Sequence, residues 1–203
     1  MSDLTSEQLK AAGSKSRVTA VIAVPGSGKT RTMMERIGIL VNEYGIAPEQ
    51  ILGLTFTRNS AEVMATRLVE VLGDRAVRVR LSTIHSFCYF LLKREGVVFE
   101  IVSGKEQLIL IKEVMKQLKI KDLSVGTILR EISLAKNNLI DVEEFRELFV
   151  GDKTMIKIAD IYERYDELKD KEMLLDFDDL LVRSYELLDT DDEMREKYLD
   201  TFL

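Results

Sequence analysis

The sequence predicts an α/β protein, a parallel sheet wrapped by helices with an inserted all-helical subdomain. Three observations carry that expectation. Residues 18–24 form an apolar, largely β-branched run that leads straight into Pro25-Gly26-Ser27-Gly28-Lys29-Thr30, so they read as a buried strand followed by a tight turn. Strand-like and helix-like segments then alternate as far as Lys93, as a parallel sheet requires. From 105 to 171 the apolar residues fall at helical spacing throughout, with Leu108, Ile111, Met115 and Leu118 as an example.

Taken in order, 4–12 reads as a short helix with Thr5 or Ser6 as N-cap. After the glycine-rich turn, Met33, Met34, Ile37 and Leu40 recur at helical spacing. A turn at 45–48 precedes a second buried strand at 51–57. Residues 59–72 are helical, with Ala61, Met64, Ala65 and Leu68 on one face. A third strand at 78–82 leads into a helix over 85–93. Strand character returns only at 201–203. The expected domains are 1–100, an inserted helical subdomain 101–173, and a return segment 174–203.

At 203 residues, 46% hydrophobic and 32% charged, the chain can bury a sizeable core in one domain plus a subdomain. No apolar stretch approaches a membrane span, and the polar start MSDLTSEQLK lacks a signal-peptide segment. The single cysteine, Cys88, excludes an internal disulfide, no Cys/His cluster suggests zinc, and a reducing cytoplasm is expected. The net charge of −6 does not advertise a nucleic-acid binder, but its distribution is uneven. Residues 1–104 hold 13 Lys/Arg against 10 Asp/Glu, whereas 171–203 hold 4 against 11, so a polyanion is expected on the N-terminal half.

The chemistry concentrates in VIAVPGSGKT. A strand, a glycine-rich turn and a helix form the context in which backbone N–H groups and a helix N-terminus wrap a polyphosphate. Lys29 adds a point charge and the Thr30 hydroxyl can hold Mg²⁺. The eight-residue motif starts at Ala23 where glycine is usual. A nucleoside triphosphate is the expected ligand.

Further motifs stand in a set order: LTSEQLKAA at 4–12, LGLTFTRNSAEVMATRL at 52–68, LSTIHSFCYFLLK at 81–93 and LLDFDDLL at 174–181. Together with the phosphate loop they resemble the UvrD/Rep/PcrA family of superfamily 1 DNA helicases, densely over 4–93 and 174–203 and weakly between. The resemblance implies a RecA-like fold, ATP and Mg²⁺ as cofactors, and ATP-driven translocation along single-stranded DNA, usually 3′ to 5′, with strand separation at duplex/single-strand junctions. It implies Gln8 as the reader of adenine, with Ala23, Val24, Pro25, Gly26, Ser27, Gly28, Lys29 and Thr30 as the phosphate cradle, extended by Arg31. Lys29 and Thr30 take the catalytic roles, and Thr30 the metal. Relatives carry Gly where this chain has Val24.

Thr55, Phe56, Thr57, Arg58 and Asn59 fall where a strand ends and a helix begins, as do Thr83, His85, Ser86 and Phe87. Both sets are expected to contact DNA, hydroxyls and N–H groups on phosphates and an aromatic ring on a base. Core packing is the competing expectation for Phe56. Relatives usually have Asn-Lys where this chain has Arg58-Asn59, which moves the positive charge by one position. His85, the only histidine, lacks a Ser/His/Asp setting and is assigned to DNA contact or structural coupling. Asp176, Asp178 and Asp179 suggest a metal, but adjacent Asp178 and Asp179 diverge on a helix, so N-capping by Asp176 is the simpler expectation.

The family's Asp-Glu-x-x-Asp motif does not occur in these 203 residues. The expectation is an N-terminal fragment of a longer helicase, inactive in hydrolysis, with the remaining helicase domains beyond Leu203. A nuclease domain could also follow in a helicase–nuclease subunit. The main rival is a complete phosphate-loop kinase for a small metabolite, although Arg130, Arg146 and Arg164 are too scattered for its lid. A binding module that docks a protein on the helical insertion ranks lowest.

Overall fold

A computed structural model of the chain describes residues 4–202. In chain order the elements are α1 (Ser6–Ala12), α2 (Lys29–Asn42), β1 (Leu52–Thr55), α3 (Arg58–Leu72), β2 (Arg80–Thr83), α4 (Ile84–Arg94), β3 (Glu100–Ile101), α5 (Lys105–Gln117), α6 (Val125–Asn137), α7 (Val142–Leu148), α8 (Lys153–Glu172), β4 (Leu174–Leu175), α9 (Phe177–Thr190) and α10 (Asp192–Thr201). They divide into two compact units, Met1–Phe87 with Glu193–Leu203, and Cys88–Asp192.

In the first unit β1 and β2 run parallel, with Leu52 opposite Arg80 and Thr55 opposite Thr83. The chain crosses between them through α3, whose N-terminus is capped by the Thr57 hydroxyl accepting from Ser60 N–H at 3.1 Å. Met34, Ile37 and Val41 of α2 pack with Met64, Leu68 and Leu72 of α3, and Ile51 and Val79 complete the core. Each such buried side chain contributes about 1.5–3 kcal/mol. Gly38 lets the two helices approach closely, because a Cβ there would stand 2.4 Å from Val71 Cγ1.

The second unit is mainly helical. Ile111 and Val114 of α5, Ile128 and Ile132 of α6, Phe145 of α7, and Ile158, Ile161, Tyr162 and Tyr165 of α8 share one core. Ser124, Asp141, Asp152 and Asp176 cap the N-termini of α6, α7, α8 and α9. A smaller cluster joins Cys88, Leu92, Phe99, Leu175 and Leu180, and burial pushes the Cys88 thiol pKa up. Beside it β3 pairs in parallel with β4, Glu100 opposite Leu174 and Ile101 opposite Leu175.

Four features depart from the sequence expectations. Residues 18–24 form no strand; Val18, Ile22 and Val24 are exposed. Their composition suits a strand, but parallel strands need hydrogen-bonded neighbours and cover on both faces, and no described segment pairs with them. The expected strand at 201–203 is overturned where it can be seen, since Thr201 ends α10, while Leu203 lies outside the described residues. The described strands form two separate parallel pairs, not one sheet. Within the expected return segment 174–203, β4 and α9 group with the helical unit and only the part from Glu193 groups with the first.

The aspartates of 174–181 hold no metal cluster; among the described residues no group of three or more His, Cys, Asp or Glu could bind one. Two lysines stand there instead. Lys136 Nζ donates to Asp179 Oδ1 at 2.5 Å, Asp166 Oδ1 at 3.0 Å and Asp176 Oδ2 at 3.3 Å. Lys169 Nζ donates to Asp176 Oδ2 at 3.0 Å and to Asp179 Oδ2. The Tyr165 hydroxyl adds a bond to Asp176 Oδ2 at 3.2 Å. Burial alone would lower the Lys136 pKa, but the carboxylates of Asp166, Asp179 and Asp176 outweigh it and raise it. Burial likewise opposes ionisation of Asp176, yet Lys136 and Lys169 hold its pKa well below the usual carboxylate range. Asp179 is pushed up, chiefly by burial.

Candidate functional site

The glycine-rich turn leads directly into α2. Gly26 and Gly28 take φ of +80° and +85°, left-handed values that favour glycine. Lys29, the first residue of α2, folds back over the turn, donating from Nζ to the carbonyls of Ala23 at 2.7 Å and Val24 at 2.8 Å. Val24 therefore serves the loop through its carbonyl, while its side chain is exposed. Pro25 is exposed in the turn, and Thr30 is half-buried in the first turn of α2. The Ser27 hydroxyl is buried with no hydrogen-bond partner among the described residues.

A cleft of about 640 Å³ runs beside this loop, lined by Gln8, Ala23, Ser27 and Lys29 together with Thr19 and Ile22. Gln8 closes one side. Its Oε1 accepts from Thr5 N–H at 2.8 Å, completing the capping box of α1, and its Nε2 donates to the Ser27 carbonyl at 2.8 Å. Arg31 lines not this cleft but a second one, with Gly28, Arg67 and Glu70.

Two residues escaped the sequence reading. Arg36 donates to the carbonyls of Ala12 at 3.0 Å and Ser14 at 2.7 Å, fastening the C-terminal end of α1 to α2. Buried Thr32 donates to the Gly28 carbonyl at 3.2 Å, closing the first turn of α2 behind the loop. The only signal for either was position on α2 one turn or two beyond Lys29, which no motif marks.

The two expected DNA-contact segments come together at one sheet end. Thr55 and Thr83 are register partners, so the tips of β1 and β2 lie side by side and α3 and α4 start from them. Phe56 is 84% exposed, which removes core packing as its role and leaves the ring free to stack. Arg58 and Asn59 are exposed in the first turn of α3. The hydroxyls of Thr57 and Thr83 act as caps, the latter accepting from Ser86 N–H at 3.1 Å and donating to Ser86 Oγ at 2.8 Å. His85 is half-buried, and the Phe87 ring meets Phe202 edge-on with centroids 6.0 Å apart.

The arginines that a kinase lid would need are committed elsewhere. Arg130 pairs with Glu131, Arg146 with Asp160 and Glu163, and Arg164 with Glu167, all on the helical unit. No described helix is long and apolar enough to cross a membrane.

The model of the UvrD/REP helicase N-terminal domain matches residues 4–202. The chain is similar to the ATP-dependent DNA helicase PcrA of Bacillus subtilis, 36% identical over 190 residues that cover 90% of the chain and 26% of that protein. PcrA of Staphylococcus epidermidis is 31% identical over 208 residues, 98% of the chain and 28% of that protein. PcrA of Staphylococcus aureus is 29% identical over 210 residues, 100% of the chain and 29% of that protein. The chain thus spans less than a third of the length of these relatives. Matched over residues 4–202 by the model of that one domain, the chain belongs to the UvrD/REP helicase family.

Proposed function

We propose that this chain is the nucleotide-binding and single-strand-binding part of an ATP-dependent DNA helicase, built on a RecA-like frame that carries an inserted helical subdomain. The observation that carries the reading is the loop itself. Among the described residues, an ammonium group that donates to the neutral carbonyls of Ala23 and Val24, a buried Ser27 hydroxyl without a partner, and the N-terminus of α2 converge on one turn. All three suit an anion.

In this reading the N–H groups of Gly26, Ser27 and Gly28 and the Lys29 ammonium hold the terminal phosphates, Thr30 takes Mg²⁺, and Gln8 lies on the adenine side. The bound nucleotide supplies the free energy of its phosphoanhydride bond. The residues of this chain neutralise and orient it. Strand binding falls to the tips of β1 and β2, where Phe56 stacks a base and Arg58, Asn59 and His85 meet the backbone. The parent protein translocates 3′ to 5′, engages duplex/single-strand junctions and works in the cytoplasm. These residues bind ATP without hydrolysing it, because a second acidic motif must hold Mg²⁺ and position the water.

Calorimetry with ATP and Mg²⁺ tests the assignment. Lys29→Ala is expected to weaken binding by about tenfold or more; equal affinities remove Lys29 from the site. Robust DNA-stimulated ATP turnover by these residues would defeat the assignment of binding without hydrolysis.

A further inference from the structure

Gln8 is assigned above to the base, yet its amide already has two tasks. Oε1 accepts from Thr5 N–H, which fixes the side chain within the capping box of α1. Nε2 then reaches across 19 residues of sequence to the Ser27 carbonyl at 2.8 Å. The contact is close, since a Cβ on Gly28 would lie 2.9 Å from Nε2.

The site of that contact matters. Ser27 lies between Gly26 and Gly28, both at left-handed φ, so its flanks are the least restrained backbone in the loop. The Ser27 carbonyl belongs to the peptide unit whose N–H is that of Gly28. Holding the oxygen therefore aims that N–H, one of the groups that would face a phosphate. The brace has a fixed foundation, because Arg36 ties the other end of α1 to α2 through Ala12 and Ser14. The loop is thus gripped from α1 at one end and from the start of α2 at the other.

We propose that Gln8 is a positioning residue for the polyphosphate, acting through the Ser27–Gly28 peptide and needing no base for that role. The inference rests on the nucleotide reading of the cleft. It is compatible with a base contact, since a primary amide carries a second N–H and a second acceptor lone pair.

The test compares two ligands on the 203-residue chain, ATP and inorganic tripolyphosphate, each with Mg²⁺ and measured by calorimetry. With Gln8→Ala, both ligands are expected to weaken by a similar factor, about three- to tenfold for one lost hydrogen bond. Weakening of ATP with unchanged tripolyphosphate overturns the proposal and leaves Gln8 a base reader only. If the unsubstituted chain binds neither ligand, the nucleotide reading fails and this proposal fails with it. Gln8→Glu supplies a second arm that protects the fold, because Glu preserves the capping box with Thr5 but cannot donate to Ser27. Without ligand, where the added charge meets no phosphate, amide hydrogen exchange at Ser27 and Thr32, whose N–H groups donate to the Val24 and Gly28 carbonyls, is expected to accelerate in that variant; unchanged protection overturns the proposal.

Discussion

Asp176 and Asp179 each donate a backbone N–H to the carboxylate of the other, at 2.8 and 2.9 Å. This reciprocal cap starts α9 and holds both carboxylates where Lys136 of α6 and Lys169 of α8 can reach them. Three helices and β4 thus meet at one ionic knot. All four residues of the knot are buried, so removal of any one strands a charge in a low-dielectric interior. Asp176→Asn is expected to destabilise the helical unit by about 3 kcal/mol, read as a lower midpoint in urea followed by far-ultraviolet circular dichroism.

The same knot sets a pH dependence. Asp176 has a depressed pKa, so its contribution is complete above the ordinary carboxylate value of 3.8 and is lost as pH falls below it. Lys136 has a raised pKa, so its contribution is complete below 10.5 and is lost as pH climbs past it. Asp179, raised by burial, works against stability as it ionises, which flattens the acid limb. The stability gap between the parent chain and Asp176→Asn should shrink below about pH 4. The gap to Lys136→Met should shrink above the lysine value. Denaturation midpoints across pH read both.

Phe56 offers a ring to solvent at the end of β1. Phe56→Ala is expected to weaken binding of a single-stranded oligonucleotide by about 1–3 kcal/mol, the usual worth of one base stacked on an aromatic ring. Its melting temperature should stay unchanged, because little buried surface is lost. Fluorescence anisotropy and a thermal melt separate the two quantities.

Gly38 tests the contact between α2 and α3. Gly38→Ala brings a methyl within 2.4 Å of Val71 Cγ1 and should cost about 1–3 kcal/mol through overpacking, despite the better helix propensity of alanine. The double variant Gly38→Ala, Val71→Ala should recover most of that loss, since the offending methyl is gone. A double-mutant cycle in urea measures the coupling.

Local signals explain what was legible before the structure. The capped α1, α2 beginning at Lys29, and the strand–helix junctions at Thr55 and Thr83 are set by periodicity, capping residues and glycines close in sequence. The N-cap role of Asp176 was legible for the same reason, and Phe177 beside it stays exposed. What escaped depends on distant partners. The two-residue strands β3 and β4 exist only through each other, and Lys136 and Lys169 look like ordinary helical surface lysines until Asp176 and Asp179 arrive. Residues 18–24 fail in the opposite direction, a strong strand composition with no ladder to join.

That bare stretch has a practical consequence at the bench. Branched apolar side chains with no charge inside the run between Arg17 and Pro25, Ile22 at 97% exposure among them, offer other molecules a template for intermolecular β-pairing. Concentrated preparations of these residues should scatter light increasingly with time, and Ile22→Lys should quiet them by placing one repulsive charge in the middle of the sticky run.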